Sequence, residues 1–472
     1  MNKKIIYIAI FAGIFSACNR HITSYGPVPT KKQLEWQKME MNMFCHFGPN
    51  TFSGAEWGNG KEPEDMFNPT SLDCNQWTKV AKLAGFGGII ITAKHHDGFS
   101  LWPNPFSTHT VSQSLWRNGK GDVLKELSEA CKNVGIKFGV YLSPWDRNHP
   151  TYGTDKYNEV YRNTLDDIYS KYGDIFEHWF DGANGEGPNG KKQVYDWTMF
   201  NSEILKYSPN TVIFSDIGPD CRWVGNERGV AGRTNWSTLN ISGFTPGAGA
   251  PPKDTLNSGN MNGEVWVPIE TDVSIRKGWF YHADEHPRSL KELLDIYYTS
   301  VGRNSVLLLN VPPDTRGLIA SEDSLRLIEF KAALDDIFKD NLAKNAKISA
   351  SSTFGFKYKA KNLLKKDYDK YWAAKEKDKT AEITLKLNGE KKFNRILLGE
   401  YIPLGQRVAA FHIDILCNDN TWKTVATETT IGYKRIIKIG TVKTRGVRII
   451  IDKTLASPIL NTVGLYYDKF TD

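Results

Sequence analysis

Between residues 35 and 340, short apolar runs and amphipathic stretches take turns along the chain. This alternation limits the possible folds more than any other property of the sequence. Met43–Phe47, Gly88–Thr92, Lys137–Ser143, Phe176–Asp181, Thr211–Asp216, Val265–Thr271 and Val306–Val311 read as strands. Gly88–Thr92 is consecutively apolar, as expected of a strand covered on both faces. Between the strands, a stretch capped by Ser71 or Asp73 and running to Ala84 reads as a helix, as do Gly121–Val134, Tyr157–Tyr172, Asp196–Tyr207, Leu290–Val301 and Glu322–Phe338. In Gly121–Val134 the apolar residues Val123, Leu124, Leu127, Ala130, Cys131 and Val134 recur at helical spacing. Such alternation predicts an α/β fold with a parallel sheet, and residues 35–340 suit a (β/α)8-like TIM barrel with insertions. The stretch 228–262 is rich in Gly, Asn and Thr and has no clear period; it is expected to be a functional loop or to hide an element. After Asn341 the pattern changes to period two, as in Ala381–Leu387, Phe411–Ile415 and Val447–Ile449, so residues 342–472 predict an antiparallel β-sandwich.

The N-terminus has the pattern of an export signal. Met1–Lys4 is basic, Ile5–Phe15 is apolar but short for a membrane span, and Phe15-Ser16-Ala17-Cys18 resembles a bacterial lipobox. That resemblance implies a signal peptide over 1–17, lipidation of Cys18, a Pro-containing tether over 18–34, and export to a bacterial membrane surface. The other five cysteines are scattered without a CxxC, which indicates neither a zinc knuckle nor a disulfide framework. The net charge of +7 comes from 60 Lys and Arg interleaved with 53 Asp and Glu, with no basic block, so nothing supports nucleic-acid binding. The chain carries 14 Trp, 20 Tyr and 23 Phe, which suit sugar faces and a large core equally. The sequence does not indicate an oligomeric state.

Four constellations follow apolar runs: His46-Phe47-Gly48 with Glu56-Trp57; Lys94-His95-His96-Asp97-Gly98-Phe99; Tyr141-Leu142-Ser143; and Trp179-Phe180-Asp181 ahead of Gly182. In a parallel barrel, C-terminal strand tips converge on one face. A carboxylate at such a tip beside a Trp is costly unless it is paired or used. Alone, Asp181 also fits a helix cap, and His95-His96-Asp97 also fits a metal site. Adjacent strand residues point to opposite faces, which argues against the metal. Together the tips describe a polar pocket with aromatic walls.

His46-Phe47-Gly48, Glu56-Trp57, Lys94–Phe99, Trp179-Phe180-Asp181 and Asn310-Val311-Pro312-Pro313 resemble, in order, the motifs of glycoside hydrolase family 29, the α-L-fucosidases. The resemblance implies a retaining exo-fucosidase acting on fucosylated glycans, with Asp181 as nucleophile and no metal or cofactor. It also implies fucose contacts from His46, Glu56, Trp57, His95, His96, Tyr141 and Trp179. Gly218–Glu227 resembles the subfamily that cleaves α-1,3/1,4-linked fucose in Lewis-type structures, which implies Glu227 as acid/base, with Arg222, Trp223 and Trp279 nearby. Glu270 is the rival acid/base. A broad-specificity α-L-fucosidase and a non-catalytic sugar-binding protein on the same scaffold are the alternatives. Ala350-Ser351-Ser352, Asn362-Leu363-Leu364 and Tyr371-Trp372-Ala373 resemble a discoidin-like, family 32 type carbohydrate-binding module.

Overall fold

The computed structural model describes residues 21–471. The expected signal peptide and Cys18 lie outside the described residues. Eight parallel strands close a barrel: β1 (Met41–Cys45), β2 (Gly88–Lys94), β3 (Lys137–Leu142), β4 (Ile175–Trp179), β5 (Val212–Ser215), β6 (Cys221–Trp223), β7 (Ile269–Ser274) and β8 (Val306–Asn310). Helices α1 (Lys31–Met39), α2 (Cys74–Leu83), α3 (Val123–Val134), α4 (Asp155–Lys171), α5 (Trp197–Tyr207), α6 (Leu290–Thr299) and α7 (Ser321–Phe338) accompany them. Asp73 caps α2 and Asp122 caps α3, and α3 ends on Gly135 at φ +71, where a left-handed residue is needed.

Strand parity sorts the core. Met43, Ile89, Val140, Ile213 and Leu307 face the helices. Phe44, Ile90, Tyr141, Trp179, Phe214 and Leu308 fill the barrel interior. Both faces are therefore apolar, which is why these strands read as continuous runs.

Three features depart from the sequence expectations. First, the sixth predicted strand, Val265–Thr271, is split. Val265–Trp266 pairs antiparallel with Thr238–Leu239 outside the barrel, and β7 starts only at Ile269. Second, β6 has three residues, too few to show a period, and it follows β5 with no intervening helix. Third, the expected tether over 18–34 becomes helical at Lys31. Thr30 and Gln33 form a capping box, and Gln33 Nε2 donates to Asp220 O and Trp266 O. Helix α1 closes the N-terminal end of the barrel, with Trp36 buried in the interior cluster.

The C-terminal residues form an antiparallel domain of seven strands around Trp372, Phe393, Phe411, Ile413 and Ile449. Its long strands Ala381–Glu400 and Arg435–Thr454 pair with register shifts. The aperiodic stretch 228–262 is seated on this domain. Thr430 Oγ1 accepts from Asn235 N at 2.8 Å, Gln406 Oε1 accepts from Ser237 N at 2.8 Å, and Arg435 Nη1 donates to Arg233 O at 2.8 Å. Side chains of the second domain thus satisfy backbone groups that have no ladder of their own.

Candidate active site

At the C-terminal end of the barrel lies a cavity of ≈ 320 Å³. Its polar lining is Asp181, Asp216, Glu227, Asp272, Glu56 and three histidines, and its walls are Phe44, Trp57, Tyr141, Trp179, Phe214, Trp223 and Trp279. A larger cavity of ≈ 1120 Å³ opens at the opposite end, beneath α1, between lysines and Phe138 and Phe176. It holds none of the strand-tip residues, so chemistry belongs to the smaller one.

Asp181 follows β4, and both its oxygens are held. Tyr141 Oη donates to Oδ2 at 3.0 Å and Ala183 N donates to Oδ1 at 2.8 Å. His96 Nε2 stands 3.8 Å from Oδ2. Gly182 lets a second carboxyl approach: a Cβ there would lie 2.0 Å from Asp216 Oδ2. Burial, then the nearby Asp181 charge, pushes Asp216 up to about 6. Asp272 accepts from Trp223 Nε1 at 2.9 Å. Burial, then Glu227 and Asp181 among its neighbours, holds its proton well above the usual carboxylate range. Glu227, on the loop after β6, accepts from Trp279 Nε1 at 3.3 Å. Glu56 accepts from Trp279 N at 2.7 Å and pairs with His282 Nε2 at 2.6 Å, which ties the loop carrying Trp279 to the segment carrying Trp57.

The histidines are neutral. Burial lowers His46 to about 4, with lesser effects from its neighbours, and burial also lowers His95 and His96. His46 Nδ1 lies 2.9 Å from Asn310 Oδ1. Asn310 Nδ2 is occupied in donating to Ser274 Oγ and Trp279 O. His46 therefore carries its proton on Nδ1, leaving Nε2 as an acceptor. His95 stacks on Tyr141, and its buried Nδ1 has no protein partner. These are hydrogen-bonding groups suited to sugar hydroxyls.

The structure gathers His46, Glu56, Trp57, His95, His96, Tyr141, Trp179, Asp181, Trp223, Glu227 and Trp279 around one cavity. It places two of the expected residues elsewhere. Arg222 is fully buried and points away from the barrel axis; its guanidinium donates to Leu256 O, Val267 O and Trp236 O. Adjacent residues on β6 face opposite ways, so Trp223 enters the cavity and Arg222 leaves it. Glu270, the rival acid/base, is fully buried inside the barrel, two residues before Asp272 and below the cavity. His95 and His96 both line the cavity, against the parity expectation, because β2 ends at Lys94. Asp97 is buried and accepts from Phe99 N at 2.7 Å. Among the described residues no group of three or more His, Cys, Asp or Glu is arranged to hold a metal ion. The sequence reading missed Asp216 and Asp272. Parity pointed to Asp216, which follows Phe214 as Asp181 follows Trp179, and Trp179 and Phe214 are register partners.

Fixed carboxylates among aromatic walls and neutral histidines, at the C-terminal mouth of a parallel barrel, are the equipment of a glycoside hydrolase. Comparison with known proteins specifies the kind. The α-L-fucosidase profile matches residues 13–336 and the F5/8 type C domain profile matches 347–462. The chain is 45% identical over 451 residues to alpha-L-fucosidase 1 of Arabidopsis thaliana, covering 94% of this chain and 88% of the relative. A glycoside hydrolase 29 family member from a rumen bacterium superposes with a TM-score of 0.83 at 41% identity, covering 94% of this chain and 78% of that one. A Ruminococcus gnavus GH29 fucosidase in complex with fucose superposes with a TM-score of 0.88 at 31% identity, covering 96% and 97%. The chain belongs to the α-L-fucosidase family, glycoside hydrolase family 29, and carries a C-terminal discoidin-like domain.

Proposed function

We propose that the protein is a retaining exo-α-L-fucosidase that releases terminal α-1,3/1,4-linked fucose from branched, Lewis-type glycans. The observation that carries this reading is the fixed orientation of Asp181, both of whose oxygens are held, in a cavity shared with Glu227. Asp181 attacks the anomeric carbon, and Glu227 protonates the leaving oxygen and then activates water. A retaining pair works with carboxyl groups about 5–5.5 Å apart. The neutral histidines bind hydroxyls without adding charge, and the aromatic walls receive the 6-methyl group and ring faces. A cavity of ≈ 320 Å³ suits one terminal ring and leaves the rest of the glycan outside. The linkage preference rests on the likeness of Gly218–Glu227 to the α-1,3/1,4 subfamily.

Asp181→Gly is expected to lose several orders of magnitude in turnover of an aryl fucoside; near-normal turnover refutes the nucleophile. Glu227→Ala is expected to retain activity on a substrate with a good leaving group and to be accelerated by azide. The linkage reading fails if α-1,2-linked or aryl fucosides are hydrolysed better than Lewis-type trisaccharides.

We also propose that the enzyme is exported and lipid-anchored through Cys18. Ile22 packs on the second domain beside Tyr358, Ala373 and Ile459, and Arg407 Nη2 donates to Thr23 O. Four residues of extended chain reach at most about 14 Å, so a lipid on Cys18 holds this face toward the bilayer. Helix α1 closes the end of the barrel opposite the cavity mouth. Mass analysis of the N-terminal peptide tests this; an unmodified Cys18 in membrane-fraction protein refutes it.

A further inference from the structure

Between α1 and the floor of the cavity, the barrel encloses two glutamates that the chemistry above does not use. Glu177 on β4 and Glu270 on β7 are both fully buried. Each lies two residues before a cavity residue on its own strand, Trp179 and Asp272 respectively, and therefore points into the barrel one layer deeper. Trp36 Nε1 of α1 donates to Glu177 Oε2 at 2.8 Å. Trp179 Nε1 donates to Glu270 Oε2 at 2.8 Å.

The remaining oxygens, Glu177 Oε1 and Glu270 Oε1, are buried and have no hydrogen-bond partner. The two carboxyls are close enough for each to act on the ionisation of the other. Two buried carboxyls with no donor on either free oxygen avoid a double charge when one of them is protonated. Burial pushes Glu177 up to about 7, and burial followed by the Glu177 charge pushes Glu270 up. The further charges acting on the pair are themselves acidic, Asp220 on Glu177 and Asp272 on Glu270. The result is a rod of four buried side chains, Trp36 bonded to Glu177 and Glu270 bonded to Trp179, from the closed end of the barrel to the floor of the cavity.

At the upper end of that rod, the Trp179 ring stacks on Phe214 at 3.9 Å and on Tyr141 at 5.4 Å. Tyr141 is the residue that holds Asp181. We propose that Glu270 positions the reaction: it fixes the Trp179 indole beneath the sugar, and that ring keeps Tyr141 and Asp181 aligned. Glu270 is thus a positioning residue rather than the acid/base. The proposal rests on Asp181 being the nucleophile.

Glu270→Gln and Glu270→Ala in the full chain test it, with an aryl fucoside as substrate. A glutamine still accepts from Trp179 through Oε1 and carries no charge, so it keeps the contact that holds the indole. Glu270→Gln is expected within about threefold of the parent in kcat/KM. Glu270→Ala orphans the Trp179 N–H and is expected to raise KM roughly tenfold or more, with no recovery in azide. Trp179→Phe keeps a ring but lacks the N–H; it is expected to show the same defect, and combining it with Glu270→Ala should add little. This variant also serves if Glu270→Ala does not fold. A Glu270→Gln enzyme as impaired as the alanine variant and rescued by azide makes Glu270 a chemical acid/base and overturns the proposal. Unchanged kinetics in Glu270→Ala, or fully additive losses in the double variant, overturn it equally. Failure of the underlying reading is seen separately, as near-normal turnover by Asp181→Gly.

Discussion

Asp216→Asn is expected to stabilise the protein near neutral pH and to do so only there. Asp216 is pushed up from 3.8 to about 6, chiefly by burial and next by Asp181. Below 3.8 it is protonated in the folded and unfolded chain alike, and it contributes no pH-dependent term. As pH rises toward 6, the unfolded chain ionises while the folded site holds its proton, and folding loses free energy. Above 6 the full cost is present, about 3 kcal/mol at roughly 1.4 kcal/mol per pK unit. Asparagine has the same shape and does not titrate. At roughly 2 °C per kcal/mol for a domain of this size, the variant should melt about 5 °C above the parent at pH 7.5 and level with it at pH 4. Scanning calorimetry at the two pH values measures the difference. An equal shift at both, or a less stable variant at pH 7.5, refutes the account, because the carboxylate must then be compensated in the folded state. The same substitution removes a charged acceptor from the cavity and is expected to lower kcat/KM roughly tenfold, the value of about one charge-assisted hydrogen bond. Here stability is given up so that two carboxyls can stand together at one sugar.

Gly182→Ala places a Cβ 2.0 Å from Asp216 Oδ2; it is expected to lower kcat/KM about a hundredfold while destabilising the fold by only about 1–3 kcal/mol, and near-normal kinetics would show that Asp216 moves freely. Arg222→Met strands the carbonyls of Leu256, Val267 and Trp236; it is expected to cost several kcal/mol in stability with KM for an aryl fucoside within about twofold of the parent. A raised KM at unchanged Tm would return Arg222 to the sugar.

Parity separates what the sequence revealed from what it concealed. Strand identity was legible wherever a run was long enough to be apolar on both faces, as in Gly88–Lys94 and Val306–Asn310. With β4 in hand, Trp179 and Asp181 fall on one face and Phe180 on the other, as the interior and exterior clusters confirm. The same count applied to β5 puts Phe214 inward and Asp216 next in line, so Asp216 was within reach of the sequence. Arg222 was not, because β6 is too short to show which of its residues face inward. Helix α1 also escaped: its stability comes from Gln33 and Trp36, whose partners are Asp220, Trp266 and Glu177. The stretch 228–262 is ordered by Gln406, Thr430 and Arg435, about 170–200 residues further on, and no local pattern encodes such a contact.

Glu177 and Glu270 show the same limit from inside the barrel. Each alone is an acidic residue in an apolar strand, which a sequence reading converts into a candidate for chemistry, as happened with Glu270. Only the closed barrel brings the two together, and only the pairing changes the meaning of both. A lone buried carboxylate would be a costly charge; here each of the two is held by an indole N–H, and the contact to Trp179 has a geometric value. In this fold Asp181 stands partly exposed at the mouth, and the two glutamates one layer below are fully buried. On the proposed reading, depth along the strand, two residues at a time, separates the acid that acts from the one that positions.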